Sequence, residues 1–126
     1  MQTEKQKTGK WGEDIAASFL VNKGYDIIDR NFSIHKKGEV DIIAWHAKKY
    51  FGKTLCFIEI KTRGSSDGSA ERSVGKKKLQ SLFFAANVYC NWHGIDVDRT
   101  AIQFEQVSIY FMGGKMDIRH YEIPMG

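Results

Sequence analysis

Apolar residues fall at helical spacing in two stretches of this chain and along strand-like runs in five others. Trp11, Ile15, Ala16, Phe19 and Leu20 form one stripe, which predicts a helix over 8–23 with Gly24 as its stop. Leu79, Leu82, Phe83, Ala86 and Tyr89 form a second, which predicts a helix over 73–92 with Ser73 as its N-cap. Strands are expected over 25–34, 39–45, 54–62, 99–112 and 115–123, the last two as a hairpin around Gly113 and Gly114. Residues 1–8 are polar and read as a flexible tail. Residues 63–72, rich in glycine and serine, read as a mobile segment that closes over a ligand. The order is α-β-β-β-α-β-β in one domain, 1–126, with no repeat and no linker.

Two of the strands carry charge where a strand in a core is apolar. Side chains alternate along a strand, so Val40, Ile42 and Ala44 should share one face, and Asp41, Ile43 and Trp45 the other. Phe57, Glu59 and Lys61 should likewise share a face. If the strands pair, Asp41 can join Glu59 and Lys61. Two carboxylates supply hard oxygen ligands for Mg²⁺ or Mn²⁺, which leaves positions for water and phosphate oxygens. Such an ion acidifies a bound water and neutralises charge on a phosphodiester, and a lysine adds a fixed positive charge beside it. The competing reading is a solvated strand face with a Glu–Lys ion pair.

Composition narrows the classes. Hydrophobic residues make up 42% and charged residues 27%, ordinary values for a globular chain large enough to bury a core. A net charge of +4 and a pI near 9.1 suit a nucleic-acid partner without requiring one. Cys56 and Cys90 stand in apolar runs with no metal-ligand spacing and read as core thiols, which suits a reducing cytoplasm. No apolar run is long enough to span a membrane, and the N-terminus has no signal-like apolar region.

Glu13 falls at the edge of the first apolar stripe and can reach along the sheet surface, whereas Asp14 points away and should be solvated. Glu39, two residues before Asp41, reads chiefly as a turn residue. Arg30, Lys36, Lys37 and Arg63 surround the acidic patch in sequence, and Lys76, Lys77 and Lys78 crowd the start of the second helix. These are expected to contact phosphates rather than bases. His35, His46, His93 and His120 show no ligand spacing and receive no role.

Gly12-Glu13, Gly24-Tyr25, Arg30-Asn31, the run 38–44 and the run 57–63 closely resemble the YraN family of small bacterial proteins, and the likeness continues through Lys76-Lys77-Lys78-Leu79-Gln80. The same motifs resemble the PD-(D/E)XK nuclease superfamily, with archaeal Holliday-junction resolvases as the nearest functional parallel. Val40 stands where the superfamily's name has proline. The resemblance implies a restriction-endonuclease-like α/β fold with a mixed central sheet flanked by helices. It implies that Asp41 and Glu59 hold the metal, that Lys61 assists the nucleophile and that Glu13 completes the acidic cluster.

The expected function is metal-dependent endonucleolytic hydrolysis of DNA, with branched DNA suggested by the resolvase parallel alone. Two rivals stand beside it: a non-catalytic nucleic-acid-binding module on the same fold, and an adaptor protein that binds no nucleic acid. The oligomeric state is open, a homodimer included.

Overall fold

The structure is a computed structural model that describes residues 4–35, 37–63 and 75–124. Helix α1 spans Glu4–Asn22. It starts a turn before the expected boundary, because Glu4, Lys5, Gln6 and Lys7 are all favourable helix formers; residues 1–3 of the expected tail lie outside the described residues. Gly24 ends the helix with φ +90, its N–H donating to the Val21 carbonyl at 3.0 Å while the Tyr25 N–H reaches back to Leu20.

Five strands follow in one mixed sheet of order β1-β2-β3-β4-β5. β1 (Asp26–Ile34), β2 (Gly38–Lys48) and β3 (Gly52–Arg63) pair antiparallel in sequence. β4 (Ala101–Met112) lies parallel to β3, and β5 (Lys115–Glu122) returns antiparallel to β4. The parallel step needs a crossover, and α2 (Lys76–Trp92) provides it. The element order is the expected α-β-β-β-α-β-β. α2 begins at Lys76 with Gly75 as its cap residue. Ser73, the expected cap, and most of the glycine- and serine-rich segment fall within 64–74, outside the described residues, as does Lys36.

Each face of the sheet is covered by one helix. Ala16, Ala17 and Leu20 of α1 pack with Ile42, Ala44, Cys56, Ile58, Val107 and Ile109. Leu82, Ala85, Ala86 and Tyr89 of α2 pack with Val40, Ile43, Leu55, Phe57 and Phe104. Both cysteines are free and buried, as expected, and burial pushes both thiols up, away from nucleophilic use. Among the described residues no helix is long and apolar enough to cross a membrane.

One expectation about the faces is corrected. Val40 and Ile43, three residues apart, both join the α2-side cluster, while Ile42 and Ala44 join the α1 side. Alternation is therefore interrupted at Asp41. On β1, between the pairs Arg30↔Ile42 and Phe32↔Val40, Asn31 has φ +57. The two strands are irregular together, and Asn is among the few residues that tolerate that backbone region.

Candidate functional site

The β2–β3 ladder runs from Lys48↔Gly52 to Ile42↔Ile58 and stops. One step further, Asp41 and Glu59 would face each other, and Val40 would face Ile60. Because the strands separate there, the Ile60 N–H has no ladder partner. The Asp41 carboxylate takes it, with Oδ2 accepting at 2.8 Å. Asp41 thus sits in the fork between the strands, placed by the backbone of β3 itself.

Glu59 lies beside it, 4% exposed. Its Oε1 is 3.1 Å from the Lys78 ammonium, and its Oε2 is buried with no partner. Burial raises the Asp41 pKa to about 7, with the Glu59 charge adding to the effect and the Ile60 N–H opposing it. Burial also raises the Glu59 pKa, against the pull of Lys78 and Lys61, while Glu39 pushes the same way as burial. Burial works against the Lys78 ammonium, but Glu59, Glu39 and Asp41 outweigh it and hold its pKa above the ordinary value. The site is a partly dry acidic cluster with one more carboxylate than its nearest cation satisfies.

A divalent cation suits such a cluster. An orphaned buried carboxylate oxygen and a second carboxylate in electrostatic contact are hard donors short of positive charge. Among the described residues no three His, Cys, Asp or Glu side chains gather as a metal-binding group. Asp41 and Glu59 are a pair, and Mg²⁺ commonly takes only one or two carboxylates when water and phosphate oxygens complete its shell.

The residues singled out from sequence divide into two groups. Asp41, Glu59 and Lys61 come together, joined by Glu39 and Lys78 through their charges. Glu13 is engaged elsewhere: its Oε1 accepts from Arg30 Nε at 3.0 Å and from Asn31 Nδ2 at 2.9 Å. Asp14 is exposed, as expected, and there pairs with Arg30 Nη2 at 2.6 Å. Arg30, expected on phosphate, is therefore held between two carboxylates, which raise its pKa, Asp14 foremost. Lys37, Arg63, Lys76 and Lys77 are exposed and free to meet a polyanion. Lys78 is turned inward, and its position signals this: it precedes Leu82 by four residues, so it continues the buried stripe toward the sheet.

Two glycines bring the helices onto this end of the sheet. A side chain on Gly12 would overlap the Thr62 hydroxyl, and one on Gly38 would meet the backbone of α2 at Ser81 O (2.8 Å) and Ala85 N (3.0 Å).

A second polar cluster, to which no role was assigned from sequence, lies on the α1 side. Glu105, 1% exposed, accepts from the Tyr25 hydroxyl (2.7 Å) and His120 Nε2 (2.6 Å) on one oxygen. Its other oxygen accepts from Gln103 Nε2 (2.6 Å) and Lys48 Nζ (2.9 Å). Lys23 Nζ lies 3.0 Å from His120 Nδ1; an ammonium only donates, so Nδ1 carries the lone pair and Nε2 the proton. Burial alone would raise the Glu105 pKa, but His120, Lys48 and Tyr25 outweigh it and bring it down to about 2. This carboxylate has all its acceptor sites filled. Alternation of Glu105, Val107 and Ile109 was the available signal that it points into the core.

Comparison with known proteins places the chain. The model of the uncharacterised protein family UPF0102 matches residues 12–109. The chain belongs to this family. A UPF0102 protein of Flavobacterium johnsoniae is 37% identical over 119 residues, covering 93% of this chain and 92% of the relative. One from Syntrophotalea carbinolica is 34% identical over 122 residues, covering 96% and 93%. One from Chlorobium limicola is 43% identical over 90 residues, covering 71% and 65%. The UPF0102 match begins at Gly12 and Glu13 and takes in both strands of the acidic fork.

Proposed function

We propose that this chain is a metal-dependent, nuclease-like protein that hydrolyses DNA phosphodiesters in the cytoplasm, on a restriction-endonuclease-like variant of the mixed sheet. The observation that carries the reading is the buried, partnerless Glu59 Oε2 beside an Asp41 whose proton is held up to about pH 7. A fold keeps such an arrangement at a cost, and buried carboxylates with perturbed pKa values are a physical mark of a working site.

Asp41 and Glu59 would hold Mg²⁺ or Mn²⁺, which when bound supplies Lewis-acid polarisation of the phosphate and an acidified water. Ile60 N–H fixes the Asp41 carboxylate so that its other oxygen is free for that task. Lys61 adds positive charge where the phosphate or the attacking oxygen would sit. Lys78 balances Glu59 while no other cation does. Glu13 acts as a positioning residue, tying Arg30 and Asn31 behind the fork. Lys37, Arg63, Lys76 and Lys77 would meet flanking phosphates. Branched DNA is the substrate favoured by the resemblance to junction resolvases.

The Lys78–Glu59 pair favours a second reading, a nucleic-acid-binding module that has kept the fold and replaced the metal with an internal ammonium. Labelled linear, single-stranded and branched DNA, incubated with the protein and Mg²⁺, Mn²⁺ or EDTA, separates the two. The nuclease reading expects metal-dependent cleavage that Glu59→Gln abolishes and Lys61→Met slows while sparing metal binding. Full cleavage by purified Glu59→Gln protein ends this mechanism; binding without cleavage in every metal leaves the second reading.

A further inference from the structure

The turn joining β2 to β3 carries the two most exposed large apolar side chains among the described residues, Tyr50 at 82% and Phe51 at 70%. Both sit at the tip of a hairpin, where neither helix covers them. They are embedded in positive charge. Lys49 precedes them and Lys53 follows, while Lys48 turns back to Glu105 at 2.9 Å, and no acidic residue occurs anywhere in 42–58. Lys49 Nζ lies 5.4 Å from the Tyr50 ring centroid, and Lys53 Nζ 4.7 Å from that of Trp45, which pairs with Leu55 further down the hairpin.

We infer that this hairpin tip is a second nucleic-acid contact, in which the Tyr50 and Phe51 rings stack on unpaired bases while Lys49 and Lys53 hold the adjoining phosphates. The inference rests on the nucleic-acid partner proposed above, but not on catalysis. Flat rings offered at a tip match a base face, and duplex DNA hides its base faces, so the occupant is a single-stranded or locally unpaired segment. The uniform charge selects a polyanion and disfavours a second copy of the same tip, which would bring like charges together. Two rings bury little apolar area for a membrane anchor, whose strength scales with that area. Phe51 lies one residue before β3 and Glu59 eight residues on, roughly 26 Å at the usual rise. The tip therefore acts on binding at a distance from the acidic fork.

The test uses the full chain in EDTA at low salt, titrated by fluorescence anisotropy into labelled oligo-dT and into a duplex of equal length. Tighter binding to the single strand is expected. Tyr50→Ala with Phe51→Ala should weaken it about tenfold or more and erase the preference over duplex. Tyr50→Leu with Phe51→Leu keeps apolar bulk without ring faces and should lose the preference as well. Lys49→Gln leaves both rings and should lower the slope of log affinity against log salt by about one. Vesicles containing phosphatidylserine and sizing chromatography run in parallel. Undiminished single-strand binding by both double variants overturns the inference. So does ring-dependent capture by vesicles or ring-dependent self-association in place of oligonucleotide binding, and so does a wild-type protein that binds no oligonucleotide. Intact, ring-dependent binding with no cleavage in Mg²⁺ removes the catalytic reading alone.

Discussion

Glu59 and Glu105 stand on neighbouring parallel strands, each next to the other's cross-strand partner, since Ile58 pairs with Glu105 and Glu59 with Gln106. Burial is nearly complete for both and pushes both pKa values up; at Glu59 it outweighs Lys78 and Lys61, whereas at Glu105 the neighbours outweigh it. Glu105 meets four donors and is held down to about 2 from an ordinary 4.5. Its contribution to stability is fully present above pH 4.5 and is lost as pH falls toward 2, on the order of 3 kcal/mol across that window. Glu105→Gln should cost roughly 3 kcal/mol at neutral pH, read from urea unfolding. Asp41 behaves oppositely, with its pKa raised from 3.8 to about 7. Between those values the native state binds the extra proton, so stability falls as pH rises and the full cost is felt above pH 7. Asp41→Asn keeps an oxygen for the Ile60 N–H and removes that cost. It should stabilise the protein by roughly 1–3 kcal/mol at pH 8 and by almost nothing near pH 4. Equal effects at the two pH values would mean the Asp41 charge is not the strained group.

At the scale of elements, the site depends on how closely α2 lies over the start of β2. Gly38 sets that approach, because a methyl group there meets main-chain atoms of α2 that cannot rotate away. Gly38→Ala should destabilise by roughly 1–3 kcal/mol, the usual range for overpacking, read from urea unfolding. Gly12→Ala meets a threonine side chain and should cost less. The elements themselves were largely legible in the sequence, because helix stripes and strand runs are local signals. The start of α1 was misplaced because four polar helix formers carry no apolar stripe. The break of alternation at Asp41 was not visible, since it arises from two strands bending together around Asn31.

At the scale of the whole molecule, two elements far apart in sequence build the acidic cluster: the β2–β3 fork and the first turn of α2. Lys78 is the cation that the fold supplies, and a divalent ion would replace it. Lys78→Met should lower the melting temperature in EDTA by a few degrees, a part-exposed pair contributing about 1–2 kcal/mol. Millimolar Mg²⁺ should then raise it more in the variant than in the wild type, since a ligand of the native state stabilises by mass action. No shift with Mg²⁺ or Mn²⁺ in either protein would count against a metal at Asp41 and Glu59.

The sequence by itself determined the order of elements, the burial of both cysteines and the candidate trio Asp41, Glu59 and Lys61. Periodicity and the oddity of charge inside apolar strands are properties of neighbours along the chain. Only the tertiary structure decided the partners. It seated Lys78 on Glu59, bound Arg30 between Glu13 and Asp14, and brought Tyr25, Lys48 and His120 to Glu105 from three other places in the chain. Which donor reaches which carboxylate depends on strand register and helix approach, and those distances are set by packing between segments tens of residues apart.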